Sequence, residues 1–255
     1  GARYYKYKAY ISGATDTPLT RGGQRRTPYP LIQFDPSRIR TGSTEDDGFV
    51  YKLNASYERS PELFAYATYS TGYRIGGVNR VAPCIEPLPA GQNVCALPNE
   101  LSFGPDKTQN YEVGVRFSLL DKMLQGTVNL YNIDWTNLQL GSQTANGAVG
   151  ITANAGGARS RGAEATLALN LGRFSLSGNY TYLDAKLTKA APGLIGGISN
   201  GFDVQGAGDA FVGDRLPGTS KHAGSITATY TVPMADEAEL YLLWSTAARS
   251  DTYST

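Results

Sequence analysis

Strict alternation of apolar and polar residues dominates this chain. From Phe49, one face reads Phe49, Tyr51, Leu53, Ala55 and Tyr57, and the other Val50, Lys52, Asn54, Ser56 and Glu58. Tyr111, Val113, Val115, Phe117 and Leu119 alternate with Glu112, Gly114, Arg116 and Ser118. Ala163 to Leu171, Phe174 to Tyr182 and Ser225 to Val232 repeat the pattern. A period of two over this length specifies strands with one apolar and one wet face. Tyr4–Ile11, Leu63–Tyr73, Met123–Gln139 and Ala238–Arg249 fit the pattern less cleanly and bring the candidate strands to nine.

The connections alternate in length. Arg59-Ser60-Pro61-Glu62, Leu120-Asp121-Lys122, Leu171-Gly172-Arg173 and the stretch from Pro233 to Glu237 read as short turns. Between them lie long Gly/Pro/Asn-rich stretches at 13–48, 75–107, 141–157 and 188–218. Structureless loops longer than about 12–15 residues are uncommon in compact domains. Short turns at one end and long loops at the other are the pattern of a transmembrane β-barrel. The strands are long enough, since a tilted strand crosses a bilayer in about 9–11 residues. The expected fold is therefore all-β, an antiparallel transmembrane β-barrel. Its apolar faces meet lipid, and Lys52, Glu58, Glu112, Arg116 and Glu164 face the lumen. Alternation alone fits a soluble sandwich equally well; loop asymmetry and strand length separate the two. Tyr57, Tyr73, Tyr111, Trp135, Phe174, Tyr230 and Trp244 fall near strand ends, as an interfacial girdle would.

Composition narrows function by exclusion. Lys plus Arg is 23 and Asp plus Glu is 22, a balance that gives no support for a nucleic-acid partner. One His and two Cys exclude a His-rich metal site or a multi-cysteine zinc module. Neither a metal nor a cofactor is expected. No apolar run reaches the roughly 18 residues of a transmembrane helix. Walker and His-Glu-x-x-His motifs are absent from the sequence, so an enzyme is not expected.

Five phrases resemble the barrel strands of TonB-dependent outer-membrane receptors. They are Leu63-Phe64-Ala65-Tyr66-Ala67-Thr68-Tyr69-Ser70-Thr71-Gly72-Tyr73-Arg74, Thr108-Gln109-Asn110-Tyr111-Glu112-Val113-Gly114-Val115-Arg116, and Leu130-Tyr131-Asn132-Ile133-Asp134-Trp135-Thr136-Asn137-Leu138-Gln139, followed by Asn154-Ala155-Gly156-Gly157-Ala158-Arg159-Ser160-Arg161-Gly162-Ala163-Glu164 and Arg215-Leu216-Pro217-Gly218-Thr219-Ser220-Lys221-His222. They stand in the family's order. The resemblance implies residues 1–255 are an internal block of a barrel of about 22 strands. The plug domain and the TonB-contacting segment are expected outside this block. It further implies the bacterial outer membrane, contact with its lipid, and an extracellular ligand, a ferric siderophore above other nutrients. The TonB complex would power uptake. A self-contained small barrel (porin or adhesin) and a soluble all-β hydrolase are the alternatives.

Within that frame, Arg25, Arg26, Tyr73, Arg74, Arg80, Arg159 and Arg161 are the candidate ligand contacts, because guanidinium groups at outer strand ends suit an anionic ligand. Lipopolysaccharide phosphates and salt bridges within the wall are their other possible partners. Cys84 and Cys95, eleven positions apart in an extracellular loop, are expected to form a disulfide. On the chain-entropy model that ring restricts the loop by roughly 3 kcal/mol. Asp203, Asp209 and Asp214 lie in a Gly-rich stretch, 201–214, but their spacing does not match a calcium loop. Glu45-Asp46-Asp47 reads as a solvated loop end.

Overall fold

The structure is a computed structural model. It describes residues 1–13, 40–81, 83–84, 96–144, 150–154, 156–190, 211–235 and 238–252. In chain order the strands are β1 (Ala2–Gly13), β2 (Arg40–Ser60), β3 (Leu63–Arg74), β4 (Gly77–Val78), β5 (Ser102–Phe103), β6 (Asp106–Leu119) and β7 (Leu124–Thr136). They continue as β8 (Gln139–Gln143), β9 (Gly150–Asn154), β10 (Gly157–Leu171), β11 (Phe174–Lys189), β12 (His222–Pro233) and β13 (Glu239–Arg249). Nine of them form one antiparallel sheet in the order β1-β2-β3-β6-β7-β10-β11-β12-β13. These are the nine alternating segments of the sequence. Among the described residues β1 and β13 do not pair, so the wall is open along both edges.

Register aligns the apolar positions. Ala67, Val113, Leu130, Ala163 and Tyr182 are successive cross-strand partners. Ala65, Val115, Val128, Ala165, Tyr180 and Gly224 make the next row. The apolar band runs from Ala163 to Leu171 on β10, from Phe174 to Tyr182 on β11 and from His222 to Tyr230 on β12. That is membrane height for a tilted strand. We take these bands as the membrane-spanning segments.

The band is uncovered. Leu53 is 62% exposed, Leu130 54% and Leu242 54%, and among the described residues no second sheet lies against them. In water each would forfeit roughly 25 cal/mol for every Å² of apolar surface left wet. Hydrocarbon removes that penalty. A soluble sandwich would press these faces together, and this wall does not.

The buried apolar residues instead gather at the long-loop end. Leu138, Ala158 and Leu187 form a small core with Trp135, Leu140 and Leu216 against it. By strand parity Trp135, Ala158 and Leu187 lie on the face opposite the apolar band, so this core sits inside the mouth. Elsewhere the inner face carries polar residues such as Glu112, Arg116, Asn129 and Glu164, as the lumen of such a barrel requires.

The short turns are tight. Leu171 pairs directly with Phe174, leaving Gly172 and Arg173 as a two-residue turn in which Gly172 has φ 66°. A hairpin turn with a positive φ at its first central position favours Gly there. Leu120, Asp121 and Lys122 all have positive φ at the β6–β7 turn.

Three expectations change. The described residues within 75–107 and 141–157 hold regular structure: β4 pairs with β5, and β8 with β9, as two ribbons. The strand expected over Met123–Gln139 ends at Thr136, because Asn137 turns left-handed at φ 57° and sends the chain into β8. Glu45-Asp46-Asp47 is strand, not loop end. β2 starts at Arg40 and runs 21 residues, roughly 70 Å at strand rise. Its upper half pairs with β1, placing Glu45 opposite Lys8 and Asp47 opposite Lys6. Such opposed charges stabilise an antiparallel pair.

Candidate functional site: the long-loop end of the wall

Asp106 is the centre of this region and is 1% exposed. Its Oδ2 accepts from Arg74 Nε at 3.0 Å, from Arg74 Nη2 at 2.5 Å and from the Gln139 backbone N–H at 3.2 Å. Arg74 is placed by register, directly opposite Asp106 across β3 and β6. Its Nη2 also donates to the Gln139 carbonyl at 2.9 Å, and its guanidinium lies 5.5 Å over the Trp135 ring. Charge-assisted hydrogen bonds of this kind are stronger than neutral ones. Three donors on one oxygen satisfy a carboxylate that burial would otherwise penalise.

Three amide side chains extend the lock into the ribbons. Gln139 Nε2 donates to the carbonyls of Ile75 at 2.9 Å and Gly104 at 3.0 Å. Asn154 Oδ1 accepts from the Gly104 N–H, and its Nδ2 donates to the carbonyls of Gly104 and Asn137. Asn79 donates to the carbonyls of Glu100 and Thr152 and accepts from the Thr152 N–H at 2.9 Å. Asn79 and Asn154 each supply a donor and an acceptor to backbone groups, and Gln139 supplies donors only. The Tyr7 hydroxyl accepts from the Gly76 N–H at 2.7 Å, tying the first ribbon to β1. Both ribbons are thereby fixed to the wall and to each other.

Deeper in the lumen, the Tyr66 hydroxyl donates to Glu112 Oε1 at 2.7 Å and lies 2.8 Å from the Asn129 side-chain amide. Gly114 makes room for this cluster. A Cβ there would fall 2.4 Å from Asn129 Oδ1 and 2.6 Å from the Tyr66 ring.

The candidate ligand contacts separate. Tyr73 stacks on Tyr5 at 3.6 Å, and Arg74 is the Asp106 partner just described. Arg80 is exposed just beyond β4. Arg25 and Arg26 lie outside the described residues. Arg159 and Arg161 share parity with Ala163 and Leu167 and so lie on the lipid-side face, above the apolar band. Arg159 Nε bonds Asp134 Oδ1 at 2.6 Å, and Arg161 Nη2 lies 3.3 Å from Asp184 Oδ2. Lys186 Nζ reaches Asp184 Oδ1 at 2.9 Å. Both carboxyls titrate below the ordinary aspartate range: Asp134 through its hydrogen bond from Arg159, Asp184 through that from Lys186 and then Arg161.

Cys84 is disulfide-bonded, and Cys95, its expected partner, lies outside the described residues. So does most of 201–214. Asp214 is described, and its Oδ2 accepts from the Phe211 N–H at 2.7 Å, closing a turn. Among the described residues no group of three or more His, Cys, Asp or Glu is placed to hold a metal ion. Asp106, Asn79, Gln139 and Asn154 were not singled out by sequence. Gln139 and Asn154 sit inside the quoted phrases, but their bonds to distant loop backbone leave no periodic trace.

The sequence model of the family described as "TonB dependent receptor-like, beta-barrel" matches residues 1–255. The chain belongs to this family. It is 24% identical over 198 residues to the probable TonB-dependent siderophore receptor PiuA of Acinetobacter baumannii, an alignment covering 75% of this chain and 24% of that protein. Among solved structures it is similar to the ferric yersiniabactin uptake receptor FyuA of Yersinia pestis, with a TM-score of 0.60 at 16% identity over 85% of this chain and 28% of that one. It is also similar to the copper transporter OprC, with a TM-score of 0.57 at 13% identity over 97% of this chain and 32% of that one. The chain thus spans about a quarter to a third of the length of these three proteins. At such identities the structures establish a shared fold, the outer-membrane barrel wall.

Proposed function

We propose that this chain is one block of the wall of a receptor that captures a scarce nutrient, a ferric siderophore above others, for TonB-driven uptake. The observation that supports it is the interlocked platform at the mouth. Two ribbons, bonded through Asp106, Gln139, Asn154 and Asn79, stand on a wall of membrane height. A binding surface held by its own hydrogen bonds loses little ordering entropy when ligand arrives. PiuA is named a probable siderophore receptor and FyuA a ferric yersiniabactin uptake receptor, and this supports the cargo class.

In this proposal Arg25, Arg26 and Arg80 reach the ligand from the loops, and Tyr73 and Arg74 hold the platform beneath them. Cys84 and Cys95 close the loop between the first ribbon's strands. The rest of the barrel, the plug and the TonB-contacting segment belong to the protein beyond this block. The work is gated transport rather than bond chemistry: TonB shifts a closed lumen toward an open one. Deleting the gene in a host without redundant receptors tests it. Loss of iron-limited growth and of labelled ferric-siderophore uptake is expected. Unchanged uptake across a siderophore panel would overturn the cargo class.

A further inference from the structure

The lipid-facing side of the wall is not uniformly ridged. A cleft of about 620 Å³ opens across β10, β11 and β12, lined almost wholly by apolar atoms. Its floor is made of small residues, Gly178, Gly224 and Ala165, and its flanks of Leu167, Leu176 and Ile226. Register explains the hollow. Leu167 pairs with Gly178, Gly178 with Ile226, and Tyr180 with Gly224, so large and small residues alternate across neighbouring strands. At the long-loop end the Tyr180 hydroxyl hydrogen-bonds His222 Nδ1 at 2.8 Å and closes the cleft with a polar lip.

Immediately above, on the same face, stand Arg161, Asp184 and Lys186. Arg161 precedes Ala165 by four residues on β10, roughly 13 Å along the strand. Asp184 faces two cations, Arg161 at 3.3 Å and Lys186 at 2.9 Å. With Arg159 and Asp134 the group has three cations against two carboxylates, leaving one positive charge in excess. The side chains of Arg161 and Lys186 are 61% and 45% exposed, so their remaining donors face outward.

We propose that this is a binding site for one phosphorylated glycolipid of the outer leaflet, with an acyl chain in the Gly178–Gly224 cleft and a phosphate on Arg161 and Lys186. The occupant follows from complementarity. The cleft is apolar, ends at the polar lip, and carries its surplus cation one headgroup length beyond. Arg and Lys at such a place donate several charge-assisted hydrogen bonds to a phosphate. The site rests on the wall's membrane placement and does not depend on the cargo.

The test is native mass spectrometry of the full-length receptor, purified from outer membranes and delipidated in detergent, with diphosphorylated lipid A added back. One lipid A should be retained per protein, at least tenfold more than its dephosphorylated counterpart. Ala165→Phe, which fills the floor without touching either glycine, and the double variant Arg161→Ala/Lys186→Ala should each reduce retention at least tenfold. Asp184→Asn should retain as much as wild type or more, because it removes a competitor for the cations. Heat-dependent gel mobility identifies folded variants. If Ala165→Phe does not fold, Thr246→Phe fills the same cleft from β13. Equal retention of the dephosphorylated lipid overturns the proposal. So does undiminished retention in folded cleft-filling or double variants, or a tenfold loss in Asp184→Asn, which would mark the network as structural only.

Discussion

Tyr5 and Tyr73 stack face to face, 3.6 Å between ring centroids and 11° between planes, although β2 runs between their strands. The bridge is possible because the residue opposite Tyr5 on β2 is Gly48. A Cβ there would meet the Tyr5 hydroxyl at 2.9 Å and its ring at 3.1 Å. The pair clasps the wall where β2 leaves β3, since their pairing ends at Lys52 and Ser70 while β1 and β2 continue upward. Gly48→Val should displace the Tyr5 ring and cost about 1–3 kcal/mol, the usual range for overpacking. Hydrogen exchange should then quicken in β1 and in the upper half of β2, and not in β10 or β11. Equal protection in variant and wild type would show that the stack does not hold the ribbon.

The Asp106 lock gives a second prediction. Asp106→Ala strands the Gln139 N–H and removes the partner of Arg74. Arg74 is half exposed and recovers water, so the cost is set mainly by the orphaned amide, about 1–3 kcal/mol. The β4–β5 and β8–β9 ribbons should become sensitive to external protease on intact cells, with the wall unaffected. Asp106→Asn keeps an acceptor and should be intermediate. Resistance equal to wild type in Asp106→Ala would remove the platform from the account of ligand capture.

The wall was legible in the sequence and the platform was not, for a physical reason. Strand faces are written by a period of two, and Phe49–Glu58, Tyr111–Leu119 and Phe174–Tyr182 declare themselves without any partner. The same parity places Arg159 and Arg161 with Ala163 on the lipid side, so their orientation was available from spacing alone. Their position beside long loops pointed instead to the ligand. The lock depends on register between segments far apart in the chain. Arg74 and Asp106 meet because β3 and β6 pair in one register, and Asn79 finds Thr152 across 73 residues. Neither the pairing nor the amide bonds leave a local signature.

Inside the lumen, Gly114 gives a third prediction. Gly114→Ala puts a methyl group where Tyr66 and Asn129 now lie, with contacts of 2.4 and 2.6 Å to relieve. Both neighbours are side chains, so the relief is rotation of Tyr66 away from Glu112 rather than movement of backbone. The cost should be about 1–3 kcal/mol, read as a lower temperature of the heat-dependent gel shift. Tyr66→Phe removes the same hydrogen bonds without the clash and should cost less, near 1 kcal/mol. Were Tyr66→Phe the more damaging of the two, the hydroxyl and not the ring space would be the reason for glycine.

The Arg161–Asp184–Lys186 network carries a pH signature. Its carboxyl titrates below the ordinary value of 3.8, chiefly through the Lys186 hydrogen bond. A depressed carboxyl pKa means that the folded wall binds that proton less readily than the unfolded chain. The resulting stability is complete above the ordinary value and disappears as pH falls through the lower, folded one. Between pH 7 and 5 the network should therefore contribute a constant amount. Below about pH 4 wild type should lose stability more steeply than Asp184→Asn, which has no proton to take up there. Melting temperatures of the detergent-solubilised full-length protein from pH 7 to pH 3 measure the difference. Parallel curves across that range would mean that Asp184 titrates normally and that its two cations are held by other contacts.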